Sequence, residues 1–467
     1  MMSSLKFAYA RKDAPLPKGV VCVRITEKKE NILVRSPDTH DVLEIGIGKE
    51  GVITRRRLVL AARRIIIFAK SQAISRIAIS FSDFLFPQVT ISKEEIAELI
   101  AVNMEMANFD FVDYKTKPKN GWPWVLSVVV MGDISKSVRA AFVKGSIIGE
   151  EVNACRHLAN IPGGEMTPKR LAEEAKKAAK GTPIRVTVFD EKEIAQKKMG
   201  GIIGVSRGSG EVPRFIIMEY APPNAKGNPI VYIGKGVTFD TGGLNLKPAD
   251  GMYEMHMDMS GGAAVMHAVV AAAKLKLKRH VIALIPAVEN MPSGSGYRPG
   301  DVLISLSGRT IEVLNTDAEG RIILADAITY AKKYNPSLMV DVATLTGASM
   351  VALGMRCSAL FTTDAQTENM IRKAGEESGD YVWPLPLWDE YDEDIAGTFG
   401  DIANTGKNKY GGAITAAKFL HAFAKDVDSP WAHIDIAPRM TSIEGDYLAK
   451  GAAGAPVRLL VKLLETY

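Results

Sequence analysis

Hydrophobic and polar positions in the first part of the chain follow two different periods. Short apolar runs such as VVCVRI have the length and β-branched content of strands. Two longer segments, 55–70 and 92–109, repeat their apolar residues at helical spacing. Ser92 and Glu95 fit a capping box, which would define the start of the second helix. The pattern predicts an α/β domain that ends near residue 135.

A long helix is predicted to follow this first domain. The stretch from Ser137 to about Leu158 has helical period, and the breaker-rich loop ANIPGGEMTP comes after it. We therefore predict an N-terminal α/β domain over 1–136, a linking helix and loop over 137–165, and a C-terminal catalytic domain over 166–467.

The C-terminal domain combines apolar runs with helical segments. HVIALIPAVE and SLMVDVATLT are almost continuously apolar, as strands buried on both faces are, and helical patterns lie between such runs. This alternation predicts a doubly wound α/β domain with a mostly parallel sheet. Ligand sites in such sheets lie beyond the carboxyl ends of the strands, so polar residues at those ends become candidates for chemistry.

Composition narrows the class of protein without identifying it. The chain has 467 residues, 47% of them hydrophobic and 24% charged, with a net charge of +5. The most apolar N-terminal tract is interrupted by Arg63 and Arg64 and is too short to span a bilayer. No secretory signal is predicted, so a cytoplasmic protein without a membrane segment is expected. Three separated cysteines without a CxxC pair argue against a disulfide framework or a thiolate zinc site.

Four carboxylates fall at predicted strand ends or in the loops beyond them: Asp240, Asp258, Asp317 and Glu319. Such a set with almost no histidine suits hard divalent cations, or a pair of them as in two-metal hydrolases. We interpret LNTDAEGRI as an extended segment, in which Asp317, Glu319 and Arg321 all point to one side. Acidic residues at strand ends also cap helices and pair with lysine, so spacing alone leaves the metal hypothesis open.

Three cationic residues accompany these carboxylates. Lys235 could bind a metal only through a neutral amine, because an ammonium has no lone pair to donate. Lys247 and Arg321 could instead stabilise an oxyanion or hold an anion.

Several separate segments, in order and spacing, resemble the leucyl aminopeptidase (cytosol aminopeptidase) family. The resemblance extends from about Asn160 to the C-terminus, whereas the first domain is far less similar. NTDAEGRI, residues 315–322, matches the signature octapeptide of the family except at its last position, where Ile322 replaces a usual leucine. The matching segments are VYIGKGVTFDTGGLNLKP, HMDMSGGAAV, ENMPSGSGYRPGD, VLNTDAEGRI and VDVATLTGA.

The resemblance implies two divalent metal ions, zinc or manganese, with magnesium or cobalt as alternatives. Asp240 and Glu319 would bridge them, Lys235 and Asp258 would complete the tighter site, and Asp317 would complete the exchangeable one. It further implies that Lys247 polarises the substrate and that Arg321 holds a bicarbonate that acts as general base. It places Met255, Thr344 and Gly347 around the first side chain of the substrate, and the Leu345 carbonyl near its free amine.

The fold and function implied by the resemblance are those of a metallo-exopeptidase. We expect a macro-like N-terminal α/β domain and a C-terminal zinc-peptidase domain with a mixed, mostly parallel sheet. The activity would be release of N-terminal residues, leucine-like ones preferred, from short peptides by attack of a metal-bridging hydroxide. The resemblance also implies a homohexamer.

Four competing interpretations remain. GVSRG matches a nucleophile elbow at Ser206, but no helix is predicted directly after that serine, so we expect a loop residue there. The basic stretch 55–64 could bind DNA, although a helix with a solvated basic face is favoured. His256 could be an extra metal ligand, but packing or solvent exposure is favoured. A catalytically dead scaffold is disfavoured because the whole metal set is present.

Overall fold

The computed structural model describes residues 4–28, 30–36, 40–49, 53–223, 225–426 and 428–467. The chain forms two compact units, of which the first comprises Met1–Asn153 and Ser442–Lys450. The second unit comprises Ala154–Thr441 and Gly451–Tyr467. Both units are α/β in content, which agrees with the predicted class. The predicted domain ranges themselves stay a prediction.

A six-stranded sheet forms the centre of the first unit. Its order is β1-β6-β5-β2-β4-β3, and among these strands only the pairing of β3 with β4 is antiparallel. The strands are β1 Lys6–Ala10, β2 Val21–Thr26, β3 Ile32–Val34, β4 Val42–Gly46, β5 Arg76–Ser80 and β6 Ser127–Met131. The helices are α1 Arg55–Ser71, α2 Lys93–Asn108 and α3 Lys136–Asn160, and α3 contains the boundary between the two units.

Alternation along β6 explains where the core of the first unit lies. Val128 and Val130 are fully buried, whereas the residues between and beside them are half-buried. Successive strand side chains point to opposite faces, so one face of the sheet carries the core.

The predicted capping box of α2 is confirmed: Ser92 accepts from the Glu95 amide, and Glu95 accepts from the Ser92 amide.

The basic residues of α1 bind other parts of the first unit. Arg63 is buried, and it donates to Asn103 Oδ1 at 2.9 Å and to the Asp446 carbonyl at 3.0 Å. Arg56 Nη2 lies 2.6 Å from Asp446 Oδ1. The prediction of a solvated basic face is therefore wrong for Arg63. Its partners are distant in sequence, which helical period cannot reveal.

The second unit contains a nine-stranded sheet and a small three-stranded sheet. The large sheet has the order β16-β15-β18-β14-β9-β11-β8-β7, with β10 paired to β11, and the small one has the order β12-β13-β17. The strands are β7 Arg185–Phe189, β8 Arg214–Tyr220, β9 Ile230–Gly234, β10 Gly236–Asp240, β11 Val281–Asn290, β12 Val302–Ile304, β13 Thr310–Glu312, β14 Leu338–Ala343, β15 Ser358–Phe361, β16 Val382–Pro384, β17 Ile402–Ala403 and β18 Trp431–Asp435.

The predicted mixed and mostly parallel sheet is confirmed. The central strands β18, β14, β9, β11 and β10 pair in parallel, and antiparallel pairs occur towards the two edges. The helices of this unit are α4 Pro168–Ala179, α5 Glu191–Gln196, α6 Gly200–Ser206, α7 Ala249–Met252, α8 Ser260–Lys274, α9 Glu319–Ala331, α10 Gly347–Leu353, α11 Ala365–Ser378, α12 Gly412–Ala424 and α13 Val457–Thr466. No helix in the described part of the chain is both long and apolar enough to cross a bilayer.

Glycines allow α8 to begin close against the ends of two central strands. A Cβ on Gly234 would lie 2.5 Å from the Gly261 carbonyl oxygen, and a Cβ on Gly261 would lie 2.2 Å from the Val342 carbonyl oxygen. No larger residue fits these positions without a backbone shift. The close approach brings the turn before α8 to the carboxyl ends of β9 and β14.

A buried carboxyl group in the first unit generates a prediction about stability and pH. Burial raises the pKa of Glu105 from 4.5 to about 8, although the Leu5 amide donates to it at 2.9 Å. Between these two pH values the folded chain keeps a proton that the unfolded chain releases. The stabilisation from that proton is present below pH 4.5 and is lost as the pH rises through about 8.

Raising the pH from 5 to 8 should therefore lower the urea midpoint of the wild-type chain more than that of Glu105→Gln, whose side chain does not titrate. Glu98→Gln alters a carboxylate on the same helix that pairs with Lys144 at 2.8 Å, and it serves as the control. An identical pH dependence in Glu105→Gln and wild type would contradict the assignment.

Candidate metal centre

The predicted chemical residues of the second unit lie at the carboxyl ends of its central strands. Lys235 follows β9, and Asp240 is the last residue of β10. Asp258 lies in the turn before α8, Asp317 lies in the turn before α9, and Glu319 is the first residue of α9. This is the edge at which ligands bind in parallel α/β sheets.

Lys235 gathers two of the carboxylates. Its Nζ lies 2.7 Å from Asp258 Oδ2 and 2.8 Å from Glu319 Oε1, and it donates to the Thr344 carbonyl at 3.0 Å. An ammonium has three N–H donors, and these three oxygens match that number. Lys235, Asp258 and Glu319 are all buried.

Lys247 gathers the other two carboxylates. Its Nζ lies 2.8 Å from Asp240 Oδ2 and also contacts Asp317 Oδ1. One carboxylate oxygen from each of Asp240, Asp317 and Glu319 lies within 4.8 Å of the others. The structure therefore brings all four predicted carboxylates and both lysines into one cluster, in which Asp317 is partly exposed.

The segment from Leu314 to Ile322 is not extended, which corrects the sequence prediction. The Asn315 side chain accepts from the Asp317 amide at 2.8 Å and holds a turn, after which Glu319 begins α9. Side chains two positions apart on a helix point in different directions. Arg321 Nη1 instead donates to the Asn404 carbonyl at 2.8 Å. Asp317 and Glu319 converge because the turn that contains Asp317 leads directly into the first residue of α9, which is Glu319.

Burial of like charges shifts the protonation of the cluster. Burial raises the pKa of Asp258 to about 8, although the Lys235 charge opposes the shift. Burial, with repulsion from Asp240, also raises the pKa values of Glu319 and Asp317. Burial alone would lower the pKa of Lys235, but attraction by the surrounding carboxylates raises it above its ordinary value. These shifts reflect desolvation and mutual repulsion of the carboxylates, which a bound cation would relieve.

The donor atoms fit a divalent cation. Asp258 Oδ2 and Glu319 Oε1 are buried, and apart from the Lys235 ion pair no hydrogen-bond donor in the described part of the chain reaches them. Four carboxylates face two lysines, so the site would carry two negative charges when every carboxyl group is ionised. Carboxylate oxygens with one amine suit hard to borderline divalent metals.

Neighbouring polar groups hold the carboxylates in place, and two of the residues that supply them, Asn290 and Tyr297, had no predicted role. Asp240 Oδ1 accepts from the Gly242 amide and from Asn290 Nδ2, both at 2.8 Å. Thr344 Oγ1 donates to Asp258 Oδ1 at 2.6 Å. Tyr297 and Asn290 both donate to the Thr316 carbonyl, which lies directly before Asp317. Asn290 and Tyr297 lie within the segment ENMPSGSGYRPGD, so resemblance marked them but assigned them no role.

The predicted substrate residues lie beside the cluster. Thr344 and Leu345 form the turn between β14 and α10, and Gly347 begins α10. Met255 precedes Asp258 in a 3-10 turn, and its carbonyl accepts from the Asp258 amide at 3.4 Å.

Asp435 at the end of β18 supports the Thr344–Gly347 turn. It accepts from the Leu345 amide at 3.1 Å and from Thr346 Oγ1 at 2.6 Å. No sequence motif pointed to it.

Two competing candidates lie outside the cluster. Ser206 is the last residue of α6 rather than a loop residue, and it donates to the Ile203 carbonyl at 3.1 Å. A nucleophile elbow needs a helix that begins after its serine, and here a helix ends. His256 does not belong to the group of metal-capable side chains found among the described residues, which comprises Asp240, Asp317 and Glu319.

An α/β unit with a carboxylate cluster at the ends of its parallel strands has the architecture of a metal-dependent hydrolase. Residues 153–461 match the catalytic domain of the cytosol aminopeptidase family, and the chain belongs to that family. The predicted resemblance and fold class are therefore confirmed, and the protein is a metal-dependent aminopeptidase.

Curated relatives and a solved structure agree with this family. A probable cytosol aminopeptidase of Chlorobaculum parvum is 50% identical over 324 residues. These residues cover 69% of this chain and 64% of that relative, which is less than two thirds of its length. One of Bdellovibrio bacteriovorus is 40% identical over 434 residues, covering 91% of this chain and 85% of that relative. The bottromycin maturation enzyme BotP, solved in complex with Mn, superposes with a TM-score of 0.86 at 31% identity, covering 95% of this chain and 98% of that one.

Gly320 offers a test of the cluster that leaves the chemical identity of every candidate ligand unchanged. A Cβ at this position would lie 2.6 Å from Lys235 Cε and 2.8 Å from Nζ. Gly320→Ala should displace the lysine and lower the affinity for Mn²⁺ or Zn²⁺ by about 10–100-fold, as changes beside metal ligands do.

Competition with a fluorescent chelator would measure that affinity. Gly294→Ala is the matched control, because nothing lies within 4 Å of a Cβ built there. Equal metal affinity in Gly320→Ala and Gly294→Ala would argue against a role for Lys235 at the centre.

Proposed function

We propose that this aminopeptidase releases leucine-like and other apolar N-terminal residues from short peptides by attack of hydroxide at a two-metal centre. The observation that carries the proposal is the pair of buried oxygens, Asp258 Oδ2 and Glu319 Oε1, which lack donors other than Lys235. Their free lone pairs support cation binding at this position.

Two divalent cations held at the centre would supply Lewis acidity, which acidifies water and polarises the scissile carbonyl. We propose that Asp240 and Glu319 would be shared by both cations, because these two carboxylates interact electrostatically with both lysines of the cluster. Lys235 and Asp258 would complete the tighter site, and the partly exposed Asp317 would complete the exchangeable one. Lys235 must lose its proton to serve as a ligand, so metal binding would release a proton.

Lys247 and Arg321 are the proposed catalytic residues. The Lys247 ammonium lies in the cluster and would polarise the substrate carbonyl. Arg321 is buried, and burial lowers its pKa to about 10. Its Nε has no hydrogen-bond partner in the described part of the chain. A bicarbonate anion would satisfy that donor and could accept a proton as general base.

The substrate residues support a preference for apolar N-terminal residues. We propose that Met255, Thr344 and Gly347 surround the first side chain and that the Leu345 carbonyl receives the free amine. An apolar pocket distinguishes one methylene by only about 10–200-fold, so specificity should be broad. The Asp435 contacts would keep this turn in place.

The remaining assignments concern metal identity and assembly. Zinc and manganese are the proposed metals, with magnesium or cobalt as alternatives, and the Mn in BotP supports manganese. We propose a location in the cytoplasm, since the relatives are named cytosol aminopeptidases. We also propose a homohexamer, which the family resemblance implies. DNA binding is not favoured, because Arg56 and Arg63 bind residues of their own unit.

Two substitutions separate metal binding from catalysis. Asp317→Asn should lose bound metal and peptidase activity together. Arg321→Ala should keep metal and lose about 10²–10³-fold in kcat, the usual effect of removing one preorganised donor. Metal content after dialysis and the steady-state rate on a leucyl peptide are the two measurements.

Arg372→Ala, which changes an arginine on α11 that lies 3.7 Å from Glu368, controls for loss of a surface guanidinium. If Arg321→Ala lost metal as Asp317→Asn does, Arg321 would belong to the metal centre and its proposed role would be wrong.

A further inference from the structure

The sheet of the first unit opens between two neighbouring strands. β2 and β5 pair only at Val21 with Ile77 and at Cys22 with Ala78. Beyond these pairs β2 continues along β4, and β5 continues along β6. The two strands therefore diverge towards their carboxyl ends. A cavity of about 240 Å³ lies at this divergence.

The order of the strands makes this divergence a topological switch point. From β2 the chain continues to β3 and β4 on one side, and from β5 it continues to β6 on the other side. In open parallel sheets ligands bind outside the carboxyl ends of strands at such a point. Position in the fold thus favours a ligand site, independently of the metal centre in the other unit.

One side of the cavity is mostly apolar, with Ser80 as a polar member. Cys22 and Val42 are register partners on β2 and β4, and Met131 and Ser80 are register partners on β6 and β5, so each pair shares a face. All four line the cavity and are half-buried. Val23, which alternates with Cys22 along β2, belongs to the core and also borders the cavity.

Both signs of charge meet at the same cavity. Lys12, Arg24 and Asp83 line it. Burial raises the pKa of Asp83, while the charges of Lys12 and Arg24 oppose that shift, as expected for nearby cations. Arg24 Nη1 also lies 3.6 Å from Glu44, whose carboxylate accepts from Lys28 at 2.9 Å. A simple anion would meet repulsion from Asp83, and a simple cation would meet repulsion from Lys12 and Arg24.

We propose that this cavity binds a free α-amino acid with an apolar side chain. The carboxylate of the amino acid would pair with Arg24 and Lys12, and its ammonium would pair with Asp83. Its side chain would contact Val42 and Met131. The volume equals the room of about eight water molecules, which is comparable to an amino acid of leucine size. The site does not depend on the proposed activity, although an aminopeptidase releases this class of molecule.

Cys22 provides a local probe of the cavity, and Cys357 in the second unit provides an internal control. The rate of alkylation of each thiol in the full chain would be followed by peptide mass spectrometry. L-leucine at ten times its dissociation constant should slow alkylation of Cys22 about tenfold by occupancy and leave Cys357 unchanged. N-acetyl-leucine and leucinamide, which each lack one charge, should not protect Cys22.

Variants and alternative ligands complete the test. Asp83→Asn and Arg24→Gln should remove the protection by leucine while activity on a leucyl anilide stays at the wild-type level. If one variant fails to fold, the ligand series on the wild-type chain still decides. Protection by inorganic phosphate but not by leucine would replace the proposal with an anion site. Absence of protection by leucine at any concentration up to the millimolar range, or equal protection by leucinamide, would overturn it.

Discussion

Burial of four carboxylates at one edge of a parallel sheet is the constraint on which the second unit depends. Like charges in a desolvated site repel one another, and each must be offset by a cation or a donor. Lys235 and Lys247 offset part of this charge, and Gly242, Asn290 and Thr344 supply donors. An arrangement that concentrates negative charge in this way costs stability unless it binds cations, so its presence indicates function rather than structural support.

The fold brings these carboxylates together because backbone segments approach one another closely at the strand ends. Glycines at the end of β9 and the start of α8 allow a helix to begin directly over the strand ends. A turn held by Asn315 then places Asp317 and Glu319 on either side of a helix start. The rigid central strands therefore fix the positions of groups that lie in loops, which is how parallel α/β sheets commonly build their sites.

Sequence patterns predicted those features that depend on local or repeating chemistry. Short-range signals predicted the capping box of α2, Asp240 at the end of a strand and Asp258 in the loop just before a helix. The turn before Glu319 was missed. Asn404, which is far away in sequence, accepts from the Leu314 amide and donates to the Asn315 carbonyl in that turn. Burial of Arg63 was missed for the same reason, since its partner Asp446 is 383 residues away. Asp435 lies at a strand end, where polar residues are candidates for chemistry, but no motif singled it out.

The most direct test of the account is the initial rate of leucyl anilide hydrolysis by chelator-stripped protein, with and without added Mn²⁺ or Zn²⁺. An N-acetylated leucyl anilide serves as the control substrate, because it lacks the free amine that the proposed pocket receives. The account predicts that metal restores cleavage of the free-amine substrate and leaves the acetylated one intact. No cleavage of the free-amine substrate with any divalent metal would contradict it.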